Sequence, residues 1–311
     1  MTTVYLSHEA CLEHQIPAGH PERPDRLRAI ENVLKHERFD KLQRQSAPMG
    51  TLEAIALVHP ERHVDRLRHA LPEEGLVALD GDTSVSPGTW DAAVLSVGAA
   101  TKAIDLISSG DADNCFCGMR PPGHHATTDQ MMGFCFFNNA AIAAKYARTH
   151  HEFERVAIFD FDVHHGNGTQ EIFWSDPDVL YCSTHNWPFY PGTGALDETG
   201  ADGLNNIVNA PLSVGSQGFH FRDAVENRVL PAIEAFSPDL LILSAGFDAH
   251  HLDPLGEMQL TADDFSWVTG KLLDQAGKSC DYRLVSLLEG GYDLEGLSES
   301  VSAHVDRLLH G

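Results

Sequence analysis

The stretch Asp160-Phe161-Asp162-Val163-His164-His165-Gly166-Asn167 gathers more chemistry than any other in the chain. An apolar, β-branched run (Val156, Ile158, Phe159) leads into it, which reads as a buried strand. Sites in open α/β sheets form just beyond the carboxyl ends of strands. In extended backbone the alternating Asp160, Asp162 and His164 project to one side. Two carboxylates and an imidazole on one side suit a divalent cation. The bland alternative is a polar strand end with chance histidines, but three such side chains on one face are hard to desolvate unpartnered. Three further groups each follow a short apolar run: His124-His125, Asp248 and Gly290-Gly291-Tyr292. Singly they are weak. Adjacent histidines are often incidental, an aspartate after a strand can cap a helix, and Gly-Gly-Tyr is an ordinary turn.

These four groups act together only if the runs before them are parallel strands that end on one edge. The pattern supports that arrangement. Strands are expected at Val4 to Leu6, Asn114 to Cys117, through Ile158, Val179 to Ser183, Asn206 to Asn209, Leu240 to Ser244 and Leu284 to Leu288. Helices are expected from Pro24 to about Glu37, in part of Leu52 to Leu71, and over Trp90 to Ile107 and Asn139 to Arg148. Three more follow at Phe219 to Phe236, Asp263 to Ala276 and Leu294 to Leu309. Strand and helix alternate, which predicts an α/β fold with a mostly parallel sheet covered on both faces. No repeat, low-complexity tract or linker interrupts the 311 residues, so one domain, 1–311, is expected.

The formal net charge is −24. Such a surface repels nucleic acid and anionic membranes, and attracts cationic ligands such as lysine-bearing peptides or polyamines. General solubility explains the same charge equally well. No apolar run looks long enough to span a bilayer, and Met1 to Tyr5 shows no secretory pattern. Six cysteines are scattered without a CxxC pair, as in a reducing cytoplasm.

The motifs RPPGHH (120–125), GFCFFNN (133–139), DFDVHHGNGTQ (160–170), SAGFDAH (244–250) and LEGGY (288–292) occur in this order. Together they resemble the histone deacetylase family, above all its class II branch and the bacterial histone deacetylase-like amidohydrolases. HPERPDR (20–26) and YPGTGA (190–195) extend the likeness over nearly the whole chain. The resemblance implies the arginase/deacetylase fold, one domain with a parallel sheet of about eight strands. It implies a catalytic zinc, or iron in the cell, on Asp162, His164 and Asp248. His124 and His125 would be the acid/base pair, oriented by Asp160 and Asn167, and Tyr292 the oxyanion donor. Tunnel positions fall on Gly133, Phe134, Tyr190 and Leu255, and Asp82 falls where a loop side chain grips the substrate backbone. Two structural potassium sites are implied as well. One uses Asp160, Asp162, His164, Ser183 and Thr184; the other uses Phe173, Asp176, Val179 and Asn206, mostly through backbone carbonyls.

The expected reaction is hydrolysis of an acetyl-lysine or a similar short acyl amide in a protein, a peptide or a small molecule. An amide is a poor electrophile, so a dication on its oxygen and an activated water address both halves of the problem. Two adjacent imidazoles do not easily both carry charge, and a carboxylate beside His124 favours His125 as the neutral base. An acetylpolyamine amidohydrolase is the first alternative; Leu255 argues against it, because an apolar side chain cannot pair with a second ammonium. A non-catalytic acetyl-lysine binding module would lack a ligand, a histidine or the tyrosine. An arginase-like two-metal hydrolase would carry paired carboxylates where Asp248-Ala249-His250 stands. The oligomeric state, a homo-oligomer included, stays open.

Overall fold

The computed structural model describes residues 1–311. Its centre is an eight-stranded sheet in which every pairing is parallel. The strands are β1 (Thr3–Ser7), β2 (Gln43–Ser46), β5 (Asn114–Cys117), β6 (Val156–Asp160), β7 (Val179–Asn186), β8 (Ile207–Leu212), β9 (Leu240–Ala245) and β10 (Leu284–Leu288). A two-residue ladder, β3 (Val77–Ala78) with β4 (Ser84–Val85), stands apart from the sheet. The spatial order is β2-β1-β5-β10-β9-β6-β7-β8. The four strands that precede the chemistry, β5, β10, β9 and β6, are therefore four consecutive central neighbours. All four are buried along their whole length. Burial on both faces is why they read as continuous apolar runs rather than alternating ones.

The helices are α1 (Asp25–Val33), α2 (Leu52–Ala56), α3 (Glu61–Ala70), α4 (Thr89–Ser109), α5 (Asn139–His150), α6 (Asn167–Phe173), α7 (Gly218–Ala224), α8 (Leu230–Phe236), α9 (Ala262–Ser279) and α10 (Leu294–His310). Three local readings differ from the sequence expectation. Edge strand β2, Gln-Arg-Gln-Ser, is polar and largely exposed; it exists because β1 offers a free edge, which no hydrophobic pattern announces. The helix expected over Phe219 to Phe236 is continuous but widens into a π turn, Val225–Val229, between α7 and α8. Pro231 lies one residue into α8; it has no N–H to donate to the carbonyl four residues back, and its ring crowds that carbonyl. Finally, α4 is by length and composition apolar enough to cross a membrane, contrary to the expectation that no run is. Within that window 78% of the residues are buried against the rest of the molecule. All six cysteines are buried and unpaired.

Candidate active site

β6 ends at Asp160, and the backbone bends away from the strand over Asp162 to His164. The expectation that Asp160, Asp162 and His164 share one side fails at Asp160 for this reason. Asp160 Oδ2 faces His124 Nδ1 at 2.9 Å and accepts from the Tyr181 hydroxyl at 3.1 Å. Its Oδ1 accepts from the Asp162 amide at 3.2 Å. Gly166 must be glycine here, since a Cβ would lie 2.2 Å from Asp160 Oδ2.

Asp162 and His164 instead meet Asp248, which follows β9. One ligand atom from each lies within 4.8 Å of the others. Each carboxylate has one oxygen tied down: Asp162 Oδ2 accepts from Gly290 N (2.8 Å) and Asp248 Oδ1 from Val163 N (2.9 Å). The other oxygen of each points to His164 Nδ1, at 3.2 and 3.1 Å, and that of Asp162 also accepts from the His164 amide at 2.9 Å. Gly246 and Gly290 complete the cradle; a Cβ would come within 2.0 Å of Asp162 Oδ2 and 2.1 Å of Asp248 Oδ2. Two oxygens and one imidazole nitrogen converging in a glycine-lined cradle fit a divalent cation. The electrostatics say the same. Burial opposes the charge on Asp162, but His124 and His164 hold it well below the usual carboxylate range. Burial and the Asp162 charge push Asp248 up. Burial also opposes an imidazolium at His164, yet the two acids push it up to about 10. Two buried carboxylates in one place call for positive charge.

His124 and His125 are polarised in opposite directions, with ring centroids 4.0 Å apart. Burial penalises a charged His124, but Asp160, Asp162 and Glu289 outweigh it and raise its pKa well above the ordinary value. Burial, then the charges of His124 and His164, depress His125. His125 Nδ1 lies 2.8 Å from Asn167 Oδ1, at the first turn of α6. That oxygen can only accept, so Nδ1 carries the proton and Nε2 is left as the basic nitrogen. Glu289 carries the backbone of the pair: its Oε2 accepts from the amides of Gly123 (2.7 Å) and His124 (3.1 Å), and its Oε1 from Ser244 Oγ (3.0 Å).

Tyr292, after β10, is 7% exposed. Burial and the nearby Asp248 charge raise its pKa well above 10, so it remains a phenol and a donor. With His125 and His164 it lines a cavity of ≈ 240 Å³, whose other walls are Asp82, Gly133, Phe134, Phe189, Tyr190 and Leu255.

The histone deacetylase domain matches residues 20–308 of this chain. The chain belongs to the histone deacetylase family. The histone deacetylase-like amidohydrolase of Pseudomonas aeruginosa is 41% identical over 278 residues, covering 88% of this chain and 73% of that one. Histone deacetylase 10, chloroplastic, of Oryza sativa is 39% identical over 302 residues, covering 91% and 68%. A probable deacetylase of Archaeoglobus fulgidus is 38% identical over 300 residues, covering 95% and 83%. The solved HDA15 HD domain superposes with a TM-score of 0.93 at 39% identity, over 99% of this chain and 88% of that one.

All five tunnel and grip positions inferred from the histone deacetylase likeness, Asp82 included, lie on the cavity wall. Gly133 and Phe134 both have positive φ, 56° and 69°. A Cβ on Gly133 would strike the His125 ring at 2.4 Å. Phe134, strained at such a φ, is held by its amide on Thr83 Oγ1 (3.2 Å) and by the His20 ring edge (4.7 Å between centroids). Phe189, absent from the inferred set, stacks on His164 at 5.6 Å.

The two potassium sets fare differently. Ser183 pairs with Asp160 across β6 and β7, and Thr184 keeps a buried hydroxyl oxygen without a partner. In the second set, the carbonyls of Phe173, Asp176 and Val179 all accept from Asn206 Nδ2, at 2.7, 3.0 and 3.2 Å. The Asn206 amide already serves the three carbonyls that such a cation would use. The residues do not fit a second ion as they stand.

Sequence reasoning missed the groups that hold the site from behind. Glu22 is buried between Arg26 (2.9 Å) and Arg120 (2.5 Å), and Arg26 also donates to the carbonyls of Glu289 (2.5 Å) and Gly291 (2.6 Å). The signal was present in HPERPDR and RPPGHH, but charged residues read as surface until their partners are known. Asp253 had no signal of its own.

Proposed function

We propose that this chain is a metal-dependent amidohydrolase that removes acetyl or similarly short acyl groups from lysine side chains. The observation that carries the reading is the convergence of one oxygen from each of Asp162 and Asp248 on the His164 ring, which itself lines a cavity walled also by His125 and a buried phenol. When held there, zinc or iron supplies a Lewis acid for the amide carbonyl and acidifies water. His125, with Nδ1 fixed as donor to Asn167, takes the water proton at Nε2. The leaving amine nitrogen needs that proton, and the charged His124 alongside favours its release. Tyr292 donates to the carbonyl oxygen as negative charge grows on it. Phe134, Tyr190 and Leu255 clasp the aliphatic stem, Gly133 leaves room beside His125, and Asp82 stands at the rim for the substrate backbone.

The partner in this reading is an acylated lysine in a peptide or protein of the cytoplasm, drawn by the acidic surface. A potassium ion on the Asp160, Asp162, His164, Ser183 and Thr184 set belongs to it too, supported by the partnerless Thr184 hydroxyl. Leu255 on the wall favours acyl-lysine over acetylpolyamines. The test is a zinc-loaded preparation assayed on acetyl-lysine peptides and acetylspermidine, beside Asp248→Ala. Peptide turnover should exceed that of acetylspermidine in kcat/KM, and Asp248→Ala should lose both bound metal and activity. Full zinc with full turnover in that variant sinks the assignment.

A further inference from the structure

We propose that Asp253 is a positioning residue: its carboxylate ties the tunnel-mouth loop to the loop carrying Tyr292, and so sets where the phenol stands. The proposal rests on the reading of Tyr292 as the oxyanion donor. Asp253 is 7% exposed. Its Oδ2 accepts from the amides of Tyr292 (2.6 Å) and Asp293 (3.1 Å). Its Oδ1 accepts from the amide of Leu255 (3.0 Å). One carboxylate thus collects three N–H groups from two loops, one of which bears the wall residue Leu255.

Upstream of Gly291 the Tyr292 segment is tied to the end of β9 and to Asp162, through Glu289 N on the Ala245 carbonyl (3.0 Å), Phe247 N on the Gly290 carbonyl (3.0 Å) and Gly290 N on Asp162 Oδ2 (2.8 Å). The Tyr292 and Asp293 amides are left to Asp253. β10 ends at Leu288 and α10 begins at Leu294, so the backbone at Tyr292 itself lies outside both strand and helix. Gly291 turns at φ 118°, a conformation that leaves the flanking peptides facing different ways. Arg26 takes the carbonyls of Glu289 and Gly291 on one side, with its guanidinium carbon 4.9 Å from the Tyr292 ring centroid. Asp253 takes the amides on the other. A cation thus takes two carbonyls of this loop and an anion takes two of its amides, which is the pairing that gives strong charge-assisted bonds. An oxyanion donor works only at its correct distance, and a displacement of about 1 Å costs roughly 10²-fold in rate. Because Asp253 also bonds Leu255, whatever occupies the mouth is linked through one side chain to the donor at the floor.

Asp253→Asn is nearly isosteric but turns one acceptor into an NH₂ that must face a backbone N–H. It should lower kcat by roughly 10- to 100-fold, with KM and bound zinc nearly unchanged. A merely structural role would not discriminate in the next step. Placed in Tyr292→Phe, itself down by roughly 10²–10³ in kcat, Asp253→Asn should cost little more, because it acts through the missing hydroxyl. Circular dichroism and zinc content check that each variant folds; Asp253→Ser, smaller and retaining one acceptor, carries the same cycle if Asp253→Asn does not. Unchanged kcat in the Asp253 variant overturns the proposal, as do losses that multiply in the double variant. If Tyr292→Phe alone keeps full kcat, the donor role falls and Asp253's with it.

Discussion

Glu22 and the pair Asp162 and Asp248 are all carboxylates cut off from solvent, at 0%, 1% and 0% exposure. The protein treats them in opposite ways. Arg120 grips Glu22 through two nitrogens, at 2.5 and 2.6 Å, and Arg26 adds a third bond at 2.9 Å. The remaining guanidinium donors reach backbone carbonyls, Cys11 (2.9 Å) and Glu22 (2.8 Å) for Arg120. Burial opposes the Glu22 charge, but Arg120 and Arg26 bring its pKa down to about 2. Asp162 and Asp248 have no arginine or lysine; they share His164 and, beyond it, only backbone amides and the more distant His124 ring, 3.9 Å from Asp162. A buried charge answered on every side is scaffold, while one left short of counter-charge is where a ligand binds. The first cluster also serves the second, because Arg26 and Arg120 hold the two loops that bear Tyr292 and the histidine pair.

The contrast is broken most severely by removing a partner from the satisfied cluster. Arg120→Met should cost about 3–5 kcal/mol of stability, since it leaves a buried acid short of charge. Urea unfolding of the metal-free protein measures it. Asp248→Asn, in the same assay, should keep or raise stability while abolishing zinc binding, because it removes one of two repelling acids. A stability loss equal to that of Arg120→Met would erase the distinction between the clusters.

Tyr292→Phe comes next. Steady-state kinetics should show kcat down by roughly 10²–10³, with an unfolding midpoint close to that of the parent chain. A smaller effect belongs to Asn206. Asn206→Ala takes the shared side-chain donor from three carbonyls, of which Phe173 and Asp176 keep the backbone donors Asp176 N and Val179 N, and costs about 1–3 kcal/mol. Potassium chloride, but not choline chloride, should restore the lost melting temperature by occupying the vacated position. Anomalous scattering from rubidium-soaked crystals should show an ion there in the variant and none in the parent; density among those carbonyls in the parent would refute the exchange.

The mildest effect separates the clusters by pH. His304, wedged between Thr269 Oγ1 (2.7 Å) and Ser286 Oγ (2.9 Å), has its pKa lowered by burial from 6.5 to about 3. Its folded state prefers the neutral ring. That contribution is full above the unfolded value of 6.5 and is lost as pH falls toward 3. Glu22 contributes fully above 4.5 and loses its share only as pH falls toward 2. Stability should therefore begin to fall below pH 6.5 through buried histidines, before Glu22 titrates. His304→Gln should flatten the slope between pH 6.5 and 4.5, read by urea midpoints at each pH.

The central strands, the order of motifs and the chemical types at the site were legible because each is local. A strand buried on both faces must be apolar along its length, as in Leu240 to Ala245. The polar edge strand β2, the π turn before Pro231 and the bend after Asp160 were not legible. Each depends on a neighbour distant in sequence or on a backbone choice that several sequences permit.

By itself, then, the sequence determined which side chains were available, on which strand ends, and that their chemistry suits a buried cation; the amide followed from the family likeness of the ordered motifs. Local pattern carries that much, because hydrophobic period and residue type need no partner to be read. Tertiary structure alone decided that strands fifth, sixth, ninth and tenth in the chain would lie as four neighbours in the sheet. It also turned Asp160 to His124 rather than to the cation cradle, and set Asn206 among three carbonyls. It brought Glu22, Arg26, Arg120 and Asp253 inside as clamps on the loops. The reason is physical: a charge enters the interior only with its partners, and those partners lie as far as 265 residues away, as Arg26 and the Gly291 carbonyl do.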